Sequence, residues 1–462
     1  NLQNIYYEEV ARLKKDLMGK RKIYYVLYTI SIVLLFLWAL RIDLVNMDDT
    51  FTLRMLQHPI PEIIKLDSLD VHPPLYYIIL KIFFDITFIS HASPYVQIIV
   101  GRLFNVLIFF ITLVVMKIIL NKLSNRRFSI AFLSLVILFP TVLWHTTDIR
   151  MYGLSAFFIS CELNAIINYN RNQNLKDIIL ATIFAALGAW THYFTAVIAG
   201  LLLFYNFIME KHKRLSYCIS EIAFFSLFIP WLKISMSQIS SVKHSYWIKN
   251  QIGEYFNAFV YQKLGRIFGS GFSFCFSILF ISCLIYIAVK SLKNFGLEFN
   301  KYYMMVSVCL YGTILLGIIL SVLIRPIFLG RYVYGISLIY FIMTLPLVNE
   351  FIIDGIMSRK DKLFKYGIIL LIGIGSILNM LFGIFYDLRG IKVYQEMESV
   401  ERSSNKVIVV DRYKSRDVPL MNSFLVQNKT FVIKVYTKIS DTGTCQSREL
   451  FRSIYPNIKS KQ

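Results

Sequence analysis

The chain has 462 residues, 56% hydrophobic and 16% aromatic, with 49 lysines and arginines against 28 acids and a net charge of +21. Apolar runs of about 18–25 residues, separated by short polar breaks, exclude a single soluble domain, because each run suits a hydrocarbon core about 30 Å thick. Nucleic-acid binding is excluded as well, since the basic excess lies in short loops between the runs, where membrane topology places it.

In chain order, residues 1–23 read as an amphipathic, basic cytoplasmic segment, and residues 24–41 as a signal-anchor helix with no small-residue cleavage site after it. Further apolar runs cover 75–90, 95–120, 128–145, 151–168, 177–190, 193–209, 216–235, 271–290, 302–324, 333–350 and 365–385. Basic clusters at Lys14–Lys22, Lys122–Arg127, Arg171–Lys176, Lys211–Arg214, Lys290–Lys301 and Arg359–Lys365 lie between them. If every run crosses, the first cluster falls on the opposite side from all the others. If 75–90 does not cross, all become cytoplasmic together, and that topology is the expectation.

The expected fold is therefore an all-α polytopic membrane domain over 24–385, with about 11 transmembrane helices. A loop over 42–94 would lie outside. Residues 386–462 carry strand-like runs, "KVIVVD" (406–411) and "TFVIKVY" (430–436), and read as a small external α/β appendage. The six cysteines include no CxxC pair, so neither a metal cluster nor a disulfide framework is indicated.

This topology gathers ionisable groups on one face. "NMDDTFTL" puts Asp48 and Asp49 just after the first span. An acidic pair in a loop is most often plain solvation, but the amphipathic run 50–66 that follows is expected to lie flat on the bilayer and hold the carboxylates at headgroup depth. A carboxylate fixed there can act as a general base toward a hydroxyl. "DVHPP" adds Asp70 and His72, with two prolines setting the angle of the next helix; the histidine reads either as a structural hydrogen-bonder or, with a carboxylate, as a metal ligand. "TTDIRMYG" contributes Asp148, Arg150 and Tyr152, "THYF" His192 and Tyr193, and "RPIFLGRYVYG" Arg325, Arg331 and Tyr332. Each cation alone fits an interfacial anchor or a functional group equally well. Together they suit a ligand with a phosphate at headgroup level, which arginine forks bind well, and a lipid tail in the bilayer.

The order of these motifs, a first-loop acidic pair, "HPPLYY", "DIRMYG" and "RPIFLGRY", resembles the polytopic GT-C glycosyltransferases. The likeness is to the bacterial members related to protein O-mannosyltransferases and to the lipid A aminoarabinose transferase, and it runs from about residue 40 to 390. It implies a GT-C fold with external juxtamembrane helices and an inverting transfer of a hexose or pentose from a polyprenyl-phosphate sugar to an acceptor glycan, lipid or protein. Asp48 matches the catalytic base. Asp49, which stands where the family more often has Glu, Asp70, His72, Asp148 (also in place of Glu), Arg150 and Arg331 match donor- or substrate-binding positions. Arg102 and Arg325 are further candidates beside the phosphate. No cofactor is required; a divalent metal remains compatible, with Asp70 and His72 as candidate ligands. The implied setting is a bacterial plasma membrane with an external active site, and the competing reading is a transporter or flippase of a lipid-linked sugar.

Overall fold

A backbone inside hydrocarbon must satisfy its own N–H and C=O groups, which makes helix the default for such apolar runs. The computed structural model describes residues 25–26, 28–40, 47–124, 126–139, 141–244, 270–323, 326–353 and 367, with three short segments at 407–411, 430–434 and 458–461. An apolar helix α1 (Tyr28–Ala39) precedes three short helices, α2 (Met47–Met55), α3 (Ile60–Asp67) and α4 (Leu75–Ile86). The long α5 (Pro94–Leu123) is followed by α6 (Ile130–Leu133) and α7 (Val142–Thr147). Then come α8 (Tyr152–Asn172), α9 (Leu175–Ala189), α10 (Tyr193–Met209) and α11 (Arg214–His244). The described helices end with α12 (Ser270–Ser291), α13 (Leu297–Leu323) and α14 (Tyr334–Ile353).

Among the described residues, five stretches are long and apolar enough to cross a membrane: Pro94–Leu123, Lys211–Ser240, Cys275–Asn294, Leu297–Leu323 and Gly330–Phe351. The last is 89% buried and forms the centre of the bundle, whereas Lys211–Ser240 is only 22% buried and lies at its edge. Strands β1 (Val407–Asp411), β2 (Thr430–Lys434) and β3 (Ile458–Lys461) pair in parallel in that order, with Val407 opposite Thr430 and Phe431 opposite Ile458. The rest of the expected appendage, and the expected span 365–385 apart from residue 367, lie outside the described residues.

Two expectations need correction. The run 128–145 is not one helix: α6 gives way to a 3-10 turn (Ser134–Leu138), and the chain turns again before α7. Pro140 accounts for the second break, because the residue before a proline is driven out of the α region, and Phe139 stands extended at φ −71°, ψ 141°. The run 50–66 is likewise broken, at Pro59, into α2 and α3. Of its apolar residues, Leu53, Leu56 and Ile63 are buried against the protein, Phe51 and Ile60 are half-buried, and Ile64 is exposed.

Helix α4 has 12 residues, about 18 Å at 1.5 Å per residue, which is too short to span hydrocarbon. Tyr76, Tyr77, Leu80 and Phe84 form its buried face. Lys81 and Asp85, misfits in a spanning helix, pair one turn apart at 2.9 Å.

The long helices carry polar groups at both ends. At one end Arg171 donates to the Lys122 carbonyl at 2.6 Å and pairs with Glu298, Lys213 donates to the Asn170 carbonyl at 2.5 Å, Lys301 bonds Glu210, and Arg126 pairs with Glu350. Four of the basic clusters seen in the sequence thus converge there. The opposite ends of α5, α8, α10 and α14 carry Arg102, Arg150, His192 and Arg331. Helices α8 and α14 approach closely because position 335 is glycine: a Cβ there would lie 3.1 Å from the Ala156 amide nitrogen. Small residues permit such contact, on which van der Waals packing between membrane helices depends.

Candidate functional site

Asp48 and Asp49 occupy the first turn of α2, where unpaired backbone N–H groups favour carboxylates. Their side chains then part. Asp48 Oδ2 accepts a hydrogen bond from Arg331 Nη1 at 2.6 Å, and each of the two side chains is 26% exposed. Asp49 is 1% exposed; its Oδ1 accepts from the Ile149 amide at 2.8 Å and its Oδ2 from Arg102 Nη2 at 3.3 Å. Asp49 therefore ties α2 both to α5 and to the turn carrying Asp148 and Arg150. Asn105 supports that turn by donating to the Asp148 carbonyl.

Arg150 is buried, and its Nη1 donates to the Tyr77 hydroxyl at 3.0 Å, so the "HPPLYY" stretch holds a cation that lies 73 residues downstream. The two prolines have no N–H to offer, and the first one available, that of Leu75, donates to the Trp190 carbonyl at 3.1 Å. This bond seats His72 against His192, with ring centroids 5.1 Å apart and planes 29° from parallel. Tyr332 lies 5.0 Å and Tyr152 5.9 Å from the His192 ring, and the Arg331 guanidinium stands 5.9 Å from each of those tyrosines. His192 Nδ1 accepts the Phe194 amide at 3.2 Å and caps α10.

Several buried polar atoms here have no hydrogen-bond partner: Arg150 Nε, Arg331 Nε, the Tyr152 hydroxyl and His72 Nδ1. Such atoms are rare in folded proteins, and a group of them around one ion pair marks a place for a polar ligand.

The structure brings Asp48, Asp70, His72, Arg150, Tyr152, His192, Arg331 and Tyr332 into one unit, with Asp49 and Asp148 as its supports. Asp148 pairs with His145 at 3.2 Å. Tyr193 turns toward α11 instead: its hydroxyl accepts from Trp231 Nε1 at 3.0 Å and donates to Gln238. Arg325 lies outside the described residues.

Sequence reasoning missed Asp67, Tyr77, His145 and Gln238. Asp67 is fully buried with neither carboxylate oxygen hydrogen-bonded, and its backbone carbonyl accepts from Gln238 Nε2 at 2.9 Å. One of the omissions had a signal in the spacing, since His145 precedes Asp148 by about one helical turn.

Burial and the two arginines set the charge states. Burial pushes the Asp70 carboxyl up to about 6 against the opposing charge of Arg150. Burial also raises Asp49 to about 6, with Arg102 opposing and Asp148 adding to the rise. Asp67 is driven well above the carboxylate range by burial and then by Asp70. Asp48 goes the other way: burial disfavours its charge, but the charges of Arg331 and Arg150 and the Arg331 hydrogen bond outweigh it, and the net direction is down. Burial, then Arg150, hold His72 well below its usual range and His192 at about 3, so both imidazoles are neutral.

A divalent metal on Asp70 and His72 does not fit this arrangement. Among the described residues no three His, Cys, Asp or Glu side chains converge as ligands. The charges of Arg150 and Arg331 also act on His72 and would repel a dication.

No family model and no curated protein matches the chain. Two solved structures do. ArnT from Cupriavidus metallidurans in the apo state superposes with a TM-score of 0.55 at 10% identity, over 95% of this chain and 89% of that one. The same protein bound to undecaprenyl phosphate gives 0.53 at 10% identity, over 94% and 89%. The chain has the ArnT fold. The likeness to ArnT extends over nearly the whole chain and agrees with the family suggested by the motif order, and the apolar helices make this an integral membrane protein.

Proposed function

We propose that the chain is an inverting glycosyltransferase that moves a sugar from a polyprenyl-phosphate donor to an acceptor hydroxyl or amine at the external face of a bacterial plasma membrane. The observation that carries this reading is the Asp48–Arg331 pair beside Arg150, ringed by polar atoms without partners. The acceptor oxygen or nitrogen attacks the anomeric carbon, the bond to the phosphate oxygen breaks, and Asp48 takes the acceptor proton. Arg150 and Arg331, with Arg325 as a further candidate, stabilise the departing phosphate, and donors aimed at such a charge are worth about 10²–10³ in rate each. Asp70 and Asp67 supply acceptors for sugar hydroxyls, and His72, His192, Tyr152 and Tyr332 form an aromatic wall. The fold of ArnT, which was crystallised with undecaprenyl phosphate, supports a donor of this class. The position of the site at the helix ends opposite the basic clusters supports an external face.

The test is incubation of the purified protein with several polyprenyl-phosphate sugars, followed by mass spectrometry of the lipid and of released or transferred sugar. Sugar loss from one donor is the expected result; intact donors throughout would refute the reading. One observation favours the competing reading, a transporter of a lipid-linked sugar: Glu162, midway along α8, is fully buried with neither carboxylate oxygen hydrogen-bonded. Buried ionisable groups in mid-membrane are typical of transport pathways. Movement of intact donor across a vesicle membrane would favour it.

A further inference from the structure

Two aspartate–arginine pairs lie side by side in this site, and they are built differently. Asp49 and Arg102 are 1% and 4% exposed, and Asp49 spends its second oxygen on the Ile149 amide. That pair is enclosed and bonded into the backbone. Asp48 and Arg331 are each 26% exposed, and their bond is single-ended, with Nη1 on Oδ2. Arg331 leaves its Nε without a partner, and Arg150, whose charge also reaches Asp48, leaves its own Nε without one. A guanidinium bound to a carboxylate through one nitrogen is open to a better offer, because a phosphate can take two parallel N–H bonds from the fork.

We propose that Arg331 is a lock on the catalytic base, opened by the phosphate of the incoming donor. In the free protein Arg331 holds Asp48 ionised and weakly basic. When the polyprenyl phosphate binds at Arg331 and Arg150, the guanidinium of Arg331 turns its fork to the phosphate oxygens. Asp48 then loses the cation that suppressed its basicity. It becomes a competent proton acceptor only with the donor in place, and release of the product polyprenyl phosphate returns Arg331 to Asp48. The scheme rests on the glycosyltransferase reading of the site and adds a fixed order, donor before acceptor activation.

Binding without turnover tests it. Undecaprenyl phosphate carrying no sugar is titrated into the full-length protein in nanodiscs, for wild type, Asp48→Asn, Arg331→Gln and the double variant. Because Asp48 and the phosphate compete for one guanidinium, Asp48→Asn should bind the lipid about tenfold more tightly than wild type, a change of about 1.4 kcal/mol. In the Arg331→Gln background the same substitution should change affinity little, since a double-variant cycle isolates the pairwise coupling. If Arg331→Gln does not fold, Arg331→Lys replaces it, and the gain must shrink there too, because lysine has no fork. Unchanged or weaker binding by Asp48→Asn overturns the lock. So does a gain that persists undiminished without Arg331, which would signify simple repulsion between carboxylate and phosphate. Absence of binding by all four proteins overturns the glycosyltransferase reading itself.

Discussion

Asp48 and Asp49 are neighbours in sequence, yet their side chains do opposite work. Asp49 accepts from a buried arginine and a buried amide, so Asp49→Asn removes the negative charge from an enclosed ion pair; breaking such a pair costs about 3–5 kcal/mol, and thermal unfolding should register it. Asp48→Asn removes a partly exposed pair, so its unfolding temperature should stay close to that of wild type while sugar transfer falls by about 10²–10⁴, as expected for loss of a general base. Near-normal turnover by that variant would end the assignment of Asp48 as base. Asp70 makes a pH prediction. Its folded-state value is raised to about 6 from 3.8, so the folded protein retains a proton that the unfolded chain releases. Stability from this group is therefore lost as pH rises from about 4 to about 6 and is flat above. Asp70→Asn should remove that part of the slope from a plot of melting temperature against pH. Asp48, Arg150 and Arg331 were legible in the sequence because a charge in so apolar a chain stands out. Asp67 was not, because a carboxylate three residues before another reads as a polar loop until its burial is known.

At the scale of elements, the glycine at 335 sets the distance between the helix that follows Arg331 and the helix that follows Arg150. Gly335→Ala would press a methyl group against the Ala156 backbone and Ile159, and overpacking of this kind costs about 1–3 kcal/mol. Because backbone yields less readily than side chain, α8 and α14 should part slightly. The expected signature is a lower melting temperature together with weaker binding of undecaprenyl phosphate; weaker stability with intact binding would show that the site does not depend on this contact. Hydropathy found most of the long helices because it measures an average over a window. That average is blind to a single imino acid, which is why 128–145 read as one span despite Pro140. It is equally blind to what covers an apolar stripe, so 50–66 looked suited to a bilayer although Leu53, Leu56 and Ile63 pack on protein. Helix α4 came out differently: the parity of basic clusters argued that it does not cross, and its 12 residues are too few to do so.

For the molecule as a whole, the long helices divide the chemistry between two ends. Basic clusters tie the helices together at one end, while carboxylates, arginines and aromatic rings assemble the site at the other, so fold and charge distribution give the same polarity. A cysteine placed at the exposed Phe88, beyond the end of α4 on the site side, should react with a membrane-impermeant thiol reagent in intact cells, whereas one placed at the exposed Lys211 should not. The reverse pattern would invert the proposed orientation. The site's polarity has a counterpart in time. Asp48 leaves the ribosome 283 residues ahead of Arg331, and at about 5–20 residues per second that gap lasts about 15–60 s. Throughout it, Asp48 waits without the arginine that pairs with it in the folded protein. If the pair acts as proposed, competence to use a lipid-linked sugar is withheld until a late helix has been inserted, and a nascent chain stalled in the membrane would not consume the donor pool on which the finished protein depends.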